Sequence, residues 1–219
     1  MYRYILFDID GTIFDTGEGI TKSVAYALGC HGIPVDNPES LRCFVGPPLS
    51  EMFAEKYGIG DDRFPDMLRA FRERYQTKGI YELAPYPGAD RMLEALRRSG
   101  CRLLIATSKP EPMARKILED FHLIQYFDEV CGSTLDERRT GKQEVIEELC
   151  RRIHLPEEEK GLCVMVGDRK YDARGAAACG ISAFIGVSYG YAEPGELEGE
   201  APVFIADSTE ALARYLLRQ

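Results

Sequence analysis

Short apolar runs alternate with amphipathic helical patterns along most of this chain, and this alternation constrains its fold more than any other feature. It predicts an α/β fold with a mainly parallel sheet, because a helix usually connects one parallel strand to the next. We expect a Rossmann-like core of three layers, with the sheet between two layers of helices. The predicted strands cover 4–7, 102–106, 128–131, 162–166, 183–187 and 203–205. The predicted core helices cover 88–99, 110–121, 141–154, 170–179 and 208–217.

One long stretch, 16–86, interrupts the alternation, because it contains no convincing strand. Its helical patterns cover 18–31, 49–57 and 61–78, with Gly and Pro residues between them. An insert after the first strand lies at the carboxyl edge of the sheet, where doubly wound folds bind ligands. We therefore predict two domains: an α/β core formed by 1–15 and 87–219, and an all-α cap domain formed by 16–86 that acts as a lid.

The charge and the cysteines of the chain limit its partners and its location. The 219 residues carry a formal net charge of −9, which argues against binding to nucleic acid polymers or anionic membranes. Seven widely spaced cysteines without a CxxC motif favour reduced thiols over a disulfide framework. The chain opens directly on a strand, without a signal-peptide pattern, and no apolar run is long enough to cross a bilayer. We expect a cytoplasmic protein that contacts neither nucleic acid nor membrane.

Polar side chains follow the predicted strands at the points where they end. The candidates are Asp8, Asp10 and Gly11 after the first strand, Thr107 and Ser108 after the second, Lys142 at the start of the helix after the third, and Asp168 and Asp172 after the fourth. The carboxyl ends of parallel strands lie along one edge of a sheet, so these groups should converge on one crevice. Each signal is weak when it is taken alone, but their combination in this order is specific.

Phosphoryl transfer is the chemistry that requires such a set of groups. Mg²⁺ prefers carboxylate and water ligands and often contacts substrate phosphate. An aspartate beside it stays ionised and attacks phosphorus, which forms an aspartyl-phosphate. A lysine and a hydroxyl stabilise the charge on the transferring group. A second carboxylate protonates the leaving oxygen and later deprotonates a water molecule.

These residues resemble the motifs of the haloacid dehalogenase superfamily, in particular its phosphatases with a helical cap, and the likeness runs along the whole chain. Asp8-Ile9-Asp10-Gly11-Thr12 is similar to the first motif, Thr107 to the second, Lys142 to the third and Gly167-Asp168 with Asp172 to the fourth. The resemblance implies that Asp8 is the nucleophile and a metal ligand. It implies that Asp10 is the acid/base and binds the metal through its backbone carbonyl. Thr107 and Lys142, with Gly11 and the backbone N–H of Ser108, would hold the phosphoryl group, and Asp168 and Asp172 would complete a Mg²⁺ site.

Two branches of the superfamily resemble different parts of the chain. The overall pattern, including Gly46-Pro47-Pro48-Leu49 in the insert, is similar to phosphoglycolate phosphatase-like members. The stretches 132–142, 167–172 and 186–191 are more similar to the 5′-nucleotidase-like branch. The resemblance therefore implies a phosphoric monoester hydrolase that acts on a small phosphorylated metabolite, as a monomer or a homodimer. Arg42 and Arg139 are candidates for contacts to an anionic part of the substrate.

Other activities of the superfamily remain as alternatives. Asp10 disfavours dehalogenation, in which no leaving group needs a proton. Phosphonatases use a cap lysine, and neither Lys22 nor Lys56 has a context that matches. A sugar-phosphate mutase of the β-phosphoglucomutase type also uses both aspartates and differs in how well its closed cap excludes water. Pyrophosphatase activity and a non-enzymatic binding protein are the remaining alternatives.

Overall fold

A six-stranded parallel sheet forms the centre of the structure, a computed structural model that describes residues 2–218. The strands are β1 (Tyr4–Phe7), β2 (Phe14–Asp15), β3 (Ala84–Pro85), β4 (Arg102–Pro110), β5 (Glu129–Ser133), β6 (Cys163–Gly167), β7 (Phe184–Val187) and β8 (Phe204–Ala206). The order in the large sheet is β5-β4-β1-β6-β7-β8, so the first strand lies in its middle. This arrangement confirms the predicted α/β class with a parallel, Rossmann-like core.

Eight α-helices connect or flank these strands within the described residues. They are α1 (Gly17–Cys30), α2 (Leu49–Tyr57), α3 (Phe64–Thr77), α4 (Ala89–Arg98), α5 (Glu111–Asp120), α6 (Lys142–Arg152), α7 (Lys170–Ala178) and α8 (Thr209–Leu216). Short 3-10 helices cover Pro38–Phe44, Gly79–Tyr81, Ile124–Tyr126, Glu157–Leu162 and Glu198–Glu200. No helix within residues 2–218 has the combined length and apolar character of a membrane span.

Alternating side chains of the central strands enter two separate cores, one on each face of the sheet. Ile5 and Phe7 of β1 pack on the face covered by α4, α5 and α8. Tyr4 and Leu6 pack on the face covered by α6 and α7. Because both faces are covered, the central strands consist of almost continuous apolar residues, as expected for a parallel sheet.

The segment between β2 and β3 contains α1, α2, α3 and two of the 3-10 helices. The strands β2 and β3 pair with each other in antiparallel register, Phe14 with Pro85 and Asp15 with Ala84, and so form the double connection between the helical segment and the sheet. The sequence gives no sign of β3, because two residues that include a proline carry no detectable alternation.

The strand β4 extends beyond its predicted end at residue 106. It continues to Pro110, with a shift in its register against β5 between Ala106 and Pro110. The polar residues Thr107, Ser108 and Lys109 hide this extension in the sequence, because polar side chains at the end of an apolar run normally indicate a loop. The extension brings three polar side chains to the edge of the sheet where β1 also ends.

Candidate active site

Asp8 is the first residue after β1, and the backbone holds it firmly in place. Its N–H donates to Val166 O at 3.0 Å, which continues the ladder between β1 and β6 by one residue. Its Oδ1 accepts the Ile9 N–H at 2.7 Å. The side chain is buried, and a buried carboxylate needs a compensating cation or donor.

Lys142 supplies this positive charge from the first turn of α6. Its Nζ lies 3.0 Å from Asp8 Oδ1 and 2.8 Å from Asp172 Oδ1. The same ammonium donates to Ala106 O at 3.0 Å, in the middle of β4. Lys142 therefore joins the end of β1, the middle of β4 and the start of α7 in one buried cluster, and the sequence-predicted residues Asp8, Lys142 and Asp172 meet here.

Three buried carboxylates form a candidate metal site. Ligand oxygens of Asp8, Asp168 and Asp172 all lie within 4.8 Å of one another. Asp168 Oδ1 is buried and has no hydrogen-bond partner among the described residues, whereas Asp172 Oδ1 at least has the Lys142 ammonium beside it. A cluster of hard oxygen donors with an unsatisfied buried oxygen fits a divalent cation. Asp10 lies outside this set of three.

Burial and like charges make these carboxylates costly to ionise without a cation. Burial, with the Asp172 and Asp10 charges, raises the pKa of Asp8 to about 6, although Lys142 acts in the opposite direction. Burial, followed by Asp172 and Asp8, raises the pKa of Asp168 well above its usual value. For Lys142, burial lowers the pKa, but Asp172 and Asp8 outweigh it and the pKa is raised, so this ammonium keeps its proton. A cluster with an excess of acids favours the binding of a cation.

Two glycines allow neighbouring loops to approach Asp168 closely. Gly11 has a φ of +75°, and a Cβ at this position would lie 2.0 Å from Asp168 Oδ2. A Cβ at Gly190 would lie 2.4 Å from Asp168 Cβ and 2.4 Å from Gly11 O. The next residue, Tyr191, donates its N–H to Asp168 Oδ2 at 2.7 Å and accepts the Gly17 N–H at its hydroxyl at 2.7 Å. This loop thus connects the Asp168 carboxylate to the start of α1.

The candidate phosphate-binding residues lie at the shifted end of β4. Thr107 is fully buried, and its hydroxyl accepts the Lys109 N–H at 3.2 Å and helps to hold down the pKa of Asp8. Ser108 faces a cavity between the sheet edge and the helical segment. Thr107 therefore lies beside Asp8, whereas Gly11 lies against Asp168 and Ser108 lines the cavity together with Asp10.

A second buried ion pair contains a residue that sequence reasoning did not select. Lys109 Nζ lies 3.0 Å from Asp10 Oδ1 and donates to the hydroxyl of Tyr75 at 2.7 Å. Neither Lys109 nor Tyr75 is among the site residues predicted from the sequence. Strand alternation offers a signal for Lys109, because residues two apart in an extended strand point to the same side. For Tyr75 on α3 the sequence contains no such signal.

The cavity between the helical segment and the sheet edge is small, at about 80 Å³. Apolar side chains form most of its wall, with Asp10, Ser108 and Lys109 at the sheet end and an ion pair between Arg72 of α3 and Glu137 at another side. The apolar lining residues are Ile20, Phe44, Pro47, Pro48, Leu49, Leu68, Phe71, Pro110 and Met113. A chamber of this composition suits the organic part of a small ligand whose polar end lies toward Asp10, Ser108 and Lys109.

The two candidate arginines lie outside this cavity. Arg42 is exposed near the end of a 3-10 helix, with its guanidinium 5.2 Å from the centroid of the Tyr191 ring and 3.4 Å from a Glu39 oxygen. Arg139 donates to Gly132 O at 3.1 Å and lies 3.8 Å from Glu111 Oε2. Both side chains are engaged with the protein itself, and neither one lines this cavity.

The fold and the site together define an α/β protein with a buried aspartate cluster at the carboxyl edge of its parallel sheet. Residues 5–187 match the family described as haloacid dehalogenase-like hydrolase. The chain belongs to this family, and the predicted resemblance is confirmed.

Three relatives and one solved structure are especially informative. A 5′-nucleotidase of Pseudomonas aeruginosa is 40% identical over 215 residues, which are 98% of this chain and 96% of that protein. Tyrosine-protein kinase PtkA of Mycobacterium tuberculosis is 37% identical over 190 residues, 86% of this chain but 63% of that longer protein. A phosphoglycolate phosphatase of Agrobacterium fabrum is 27% identical over 208 residues, covering 92% and 87% of the two chains. The crystal structure of a predicted phosphatase from Clostridium acetobutylicum has a TM-score of 0.95, 36% identity and full coverage of both chains.

These comparisons bear directly on the predicted class. Family membership confirms a hydrolase, and the names of the first and third relatives agree with the predicted phosphoric monoester hydrolase. These two relatives carry the names of the two branches that the sequence resembles, the 5′-nucleotidases and the phosphoglycolate phosphatases. The chain matches its nucleotidase relative over nearly the full length of both proteins.

Proposed function

We propose that this protein is a Mg²⁺-dependent phosphatase that hydrolyses a small organic phosphate monoester through an aspartyl-phosphate on Asp8. The observation that carries this proposal is the contact between Asp8 and Lys142, a buried carboxylate 3.0 Å from a buried ammonium at the end of the central strand. An aspartate in this position is held rigidly and shielded from water, as a nucleophile toward phosphorus requires. The nucleotidase relative supports a nucleoside monophosphate as the first substrate to test.

Asp8, Asp168 and Asp172 would hold the cation, and the backbone carbonyl of Asp10 is the fourth protein ligand that the family resemblance implies. When bound, the ion offsets the negative charge of the carboxylates and of the substrate phosphate. The unsatisfied Asp168 Oδ1 is the protein atom that gains most from such a cation.

The residues of the chain divide the reaction between them. Asp8 attacks phosphorus while Lys142 and the Thr107 hydroxyl stabilise the negative oxygens of the transferring group. Asp10 protonates the oxygen of the departing alcohol, and in the second half-reaction it removes a proton from the water that attacks the aspartyl-phosphate. The phosphate then leaves, and Asp8 is regenerated.

The helical segment 16–86 acts in this proposal as a cap domain over the core formed by 1–15 and 87–219. In this proposal the segment moves away from the sheet edge to admit the substrate to the cavity between them. Closure then surrounds the leaving group with apolar side chains and excludes bulk water from the aspartyl-phosphate. The partner in this proposal is a small phosphorylated metabolite in the cytoplasm, and the protein acts as a monomer or a homodimer.

The test is release of inorganic phosphate from a panel of nucleoside monophosphates, phosphoglycolate, sugar phosphates and pyrophosphate, with Mg²⁺ and with EDTA. We expect Mg²⁺-dependent release that Asp8→Asn abolishes, because an amide is not a nucleophile toward phosphorus. Activity that persists in EDTA or in Asp8→Asn contradicts the proposal. Isomerisation of β-glucose 1-phosphate without release of phosphate would identify a mutase instead.

A further inference from the structure

Lys109 connects the sheet edge to the helical segment through a chain of three buried polar groups. Its ammonium lies between Asp10 Oδ1, at 3.0 Å, and the Tyr75 hydroxyl, at 2.7 Å. The Lys109 side chain is 4% exposed and that of Asp10 is 8% exposed. Asp10 follows β1, Lys109 belongs to the extension of β4, and Tyr75 belongs to α3, so one short chain of contacts spans three elements.

The geometry of this chain fixes the Asp10 carboxylate from one side. The Tyr75 ring stacks on Phe71 at 5.3 Å, with an angle of 10° between the planes, which holds its hydroxyl toward Lys109. The Lys109 ammonium also lies 4.8 Å from the centroid of the Tyr75 ring. A lysine has a flexible four-carbon stem, and two contacts with Tyr75 reduce the number of positions that its ammonium can occupy. Asp10 therefore faces a cation whose position depends on α3.

The same arrangement separates Lys109 from Lys142. Lys142 contacts Asp8 and Asp172, the carboxylates at the candidate metal site, whereas Lys109 contacts only Asp10 of the candidate catalytic carboxylates. Asp10 is the group that exchanges a proton with the leaving group in the proposed function. The two buried lysines thus serve different carboxylates, one at the nucleophile and one at the acid/base.

We propose that Lys109 and Tyr75 are positioning residues that orient the Asp10 carboxylate toward the leaving oxygen when the helical segment lies over the site. This inference rests on the proposed function, because it assigns Asp10 as the general acid. When α3 moves away, the Tyr75 hydroxyl leaves Lys109, and the ammonium is free to shift away from Asp10. Protonation of the leaving group is thereby restricted to the closed arrangement.

Two substrates of nearly the same shape test the inference. Phenyl phosphate has a poor leaving group that needs protonation, whereas p-nitrophenyl phosphate has a good one that departs without it. For Tyr75→Phe we expect kcat/KM for phenyl phosphate to fall about 10-fold and that for p-nitrophenyl phosphate to fall less than about 2-fold, since a well-placed general acid contributes about 10²- to 10⁴-fold. The parameter kcat/KM covers the steps up to formation of the aspartyl-phosphate, so it isolates the step in which the leaving group departs.

A second variant keeps the test decisive. Lys109→Gln removes the cation itself and should show the same selective loss, with a larger effect on phenyl phosphate. Circular dichroism melts of both variants verify that they fold. Tyr26→Phe and Lys116→Gln are matched controls, because Tyr26 and Lys116 make their polar contacts at the surface, to Glu73 and Asp120. Both controls should retain the wild-type ratio between the two substrates.

Equal losses on both substrates would overturn the inference, because a residue that merely holds the phosphate or the fold affects both reactions alike. Wild-type rates in both variants would overturn it as well. These outcomes differ from a failure of the proposed function, in which the wild-type protein with Mg²⁺ releases no phosphate from any substrate or Asp8→Asn remains active.

Discussion

Gly11 leaves the space that Asp168 occupies: a Cβ on Gly11 would lie 2.0 Å from Asp168 Oδ2 and 2.8 Å from the Tyr191 ring. The backbone at Gly11 also has a φ of +75°, a conformation that residues with a side chain rarely adopt. A Cβ at position 11 would meet both obstacles, the overlap with Asp168 and the unfavourable φ. Glycine has no Cβ, so the loop after β1 can lie against the candidate metal site.

The first prediction follows from this contact. Gly11→Ala should displace the Asp168 carboxylate and lower phosphatase activity at least about 10-fold, because a misplacement near 1 Å at a reacting centre has effects of this size or more. The measurement is Mg²⁺-dependent phosphate release at saturating substrate. Gly32→Ala is the control: its φ is +71°, but nothing lies within 4 Å of the added methyl group. Both variants carry a backbone cost of about 1 kcal/mol, so a loss of activity found only in Gly11→Ala is due to the overlap with Asp168.

Asp8 leads to a prediction about stability and pH in the absence of divalent metal. Its pKa is raised to about 6 from 3.8, so the folded protein binds this proton more tightly than the unfolded chain does. The free energy of unfolding therefore falls as the pH rises through this interval. Asp8→Asn removes the effect and should be more stable than the wild type above pH 6, by about 2 to 3 kcal/mol. Below pH 3.8 the two proteins should have equal stability.

Urea unfolding in EDTA across this pH range measures the difference. A constant gap between Asp8→Asn and the wild type at all pH values would show that the buried carboxylate does not titrate as described. Addition of Mg²⁺ at pH 7.5 should reverse the order, because the ion stabilises the ionised wild-type site and has one ligand fewer in the variant.

The three-carboxylate cluster predicts that Mg²⁺ stabilises the folded protein. A ligand at 100 times its dissociation constant contributes about 2.7 kcal/mol, which is a clear shift in melting temperature. Asp168→Asn should abolish most of this shift, because it removes the oxygen that has no other partner. Glu198→Gln, an exposed carboxylate outside the cluster, should retain it. Equal Mg²⁺ shifts in all three proteins would place the cation elsewhere.

Lys142 leads to a prediction that combines stability and activity. Its ammonium contacts two carboxylates that are themselves buried, so Lys142→Met leaves both without a cation. The removal of one partner from a buried ion pair costs about 3 to 5 kcal/mol, and the variant should melt well below the wild type. Mg²⁺ should recover part of the stability but not the activity, since the stabilising charge on the transferring phosphate is still missing. Calorimetry and phosphate release with and without Mg²⁺ measure the two effects.

The elements of the sheet were predictable because their residues repeat a pattern that depends on local physics. β1 begins and ends at its predicted residues, and the buried strand β6 differs from its prediction by one residue at each end. Buried parallel strands are apolar on both faces, so their sequences differ sharply from those of the helices between them. The predicted end of β4 at residue 106 was wrong, because Thr107 and Lys109 are polar and yet continue the strand in extended conformation.

The candidate site was predictable only in part. Asp8, Asp168 and Lys142 each stand at a strand end or a helix start, and the topology of a parallel sheet brings such positions together. The contact between Lys109 and Tyr75 depends on how α3 packs over the sheet, and no local pattern specifies it. Arg42 and Arg139 were selected as substrate contacts but lie outside the cavity for the same reason. Their positions in the sequence do not determine the directions of their side chains.

The larger of the two hydrophobic clusters does not stop at the sheet. It runs from Phe7 and Ile9 through Ile13 and Phe14 to the helices α1 and α3, where Val24 and Phe71 belong to the same set. The helical segment and the sheet therefore share one hydrophobic core. We expect heat to unfold both in a single cooperative transition. Deletion of 16–86 would expose apolar surface on the remaining core domain. We therefore expect the shortened protein to aggregate rather than fold as a small independent enzyme.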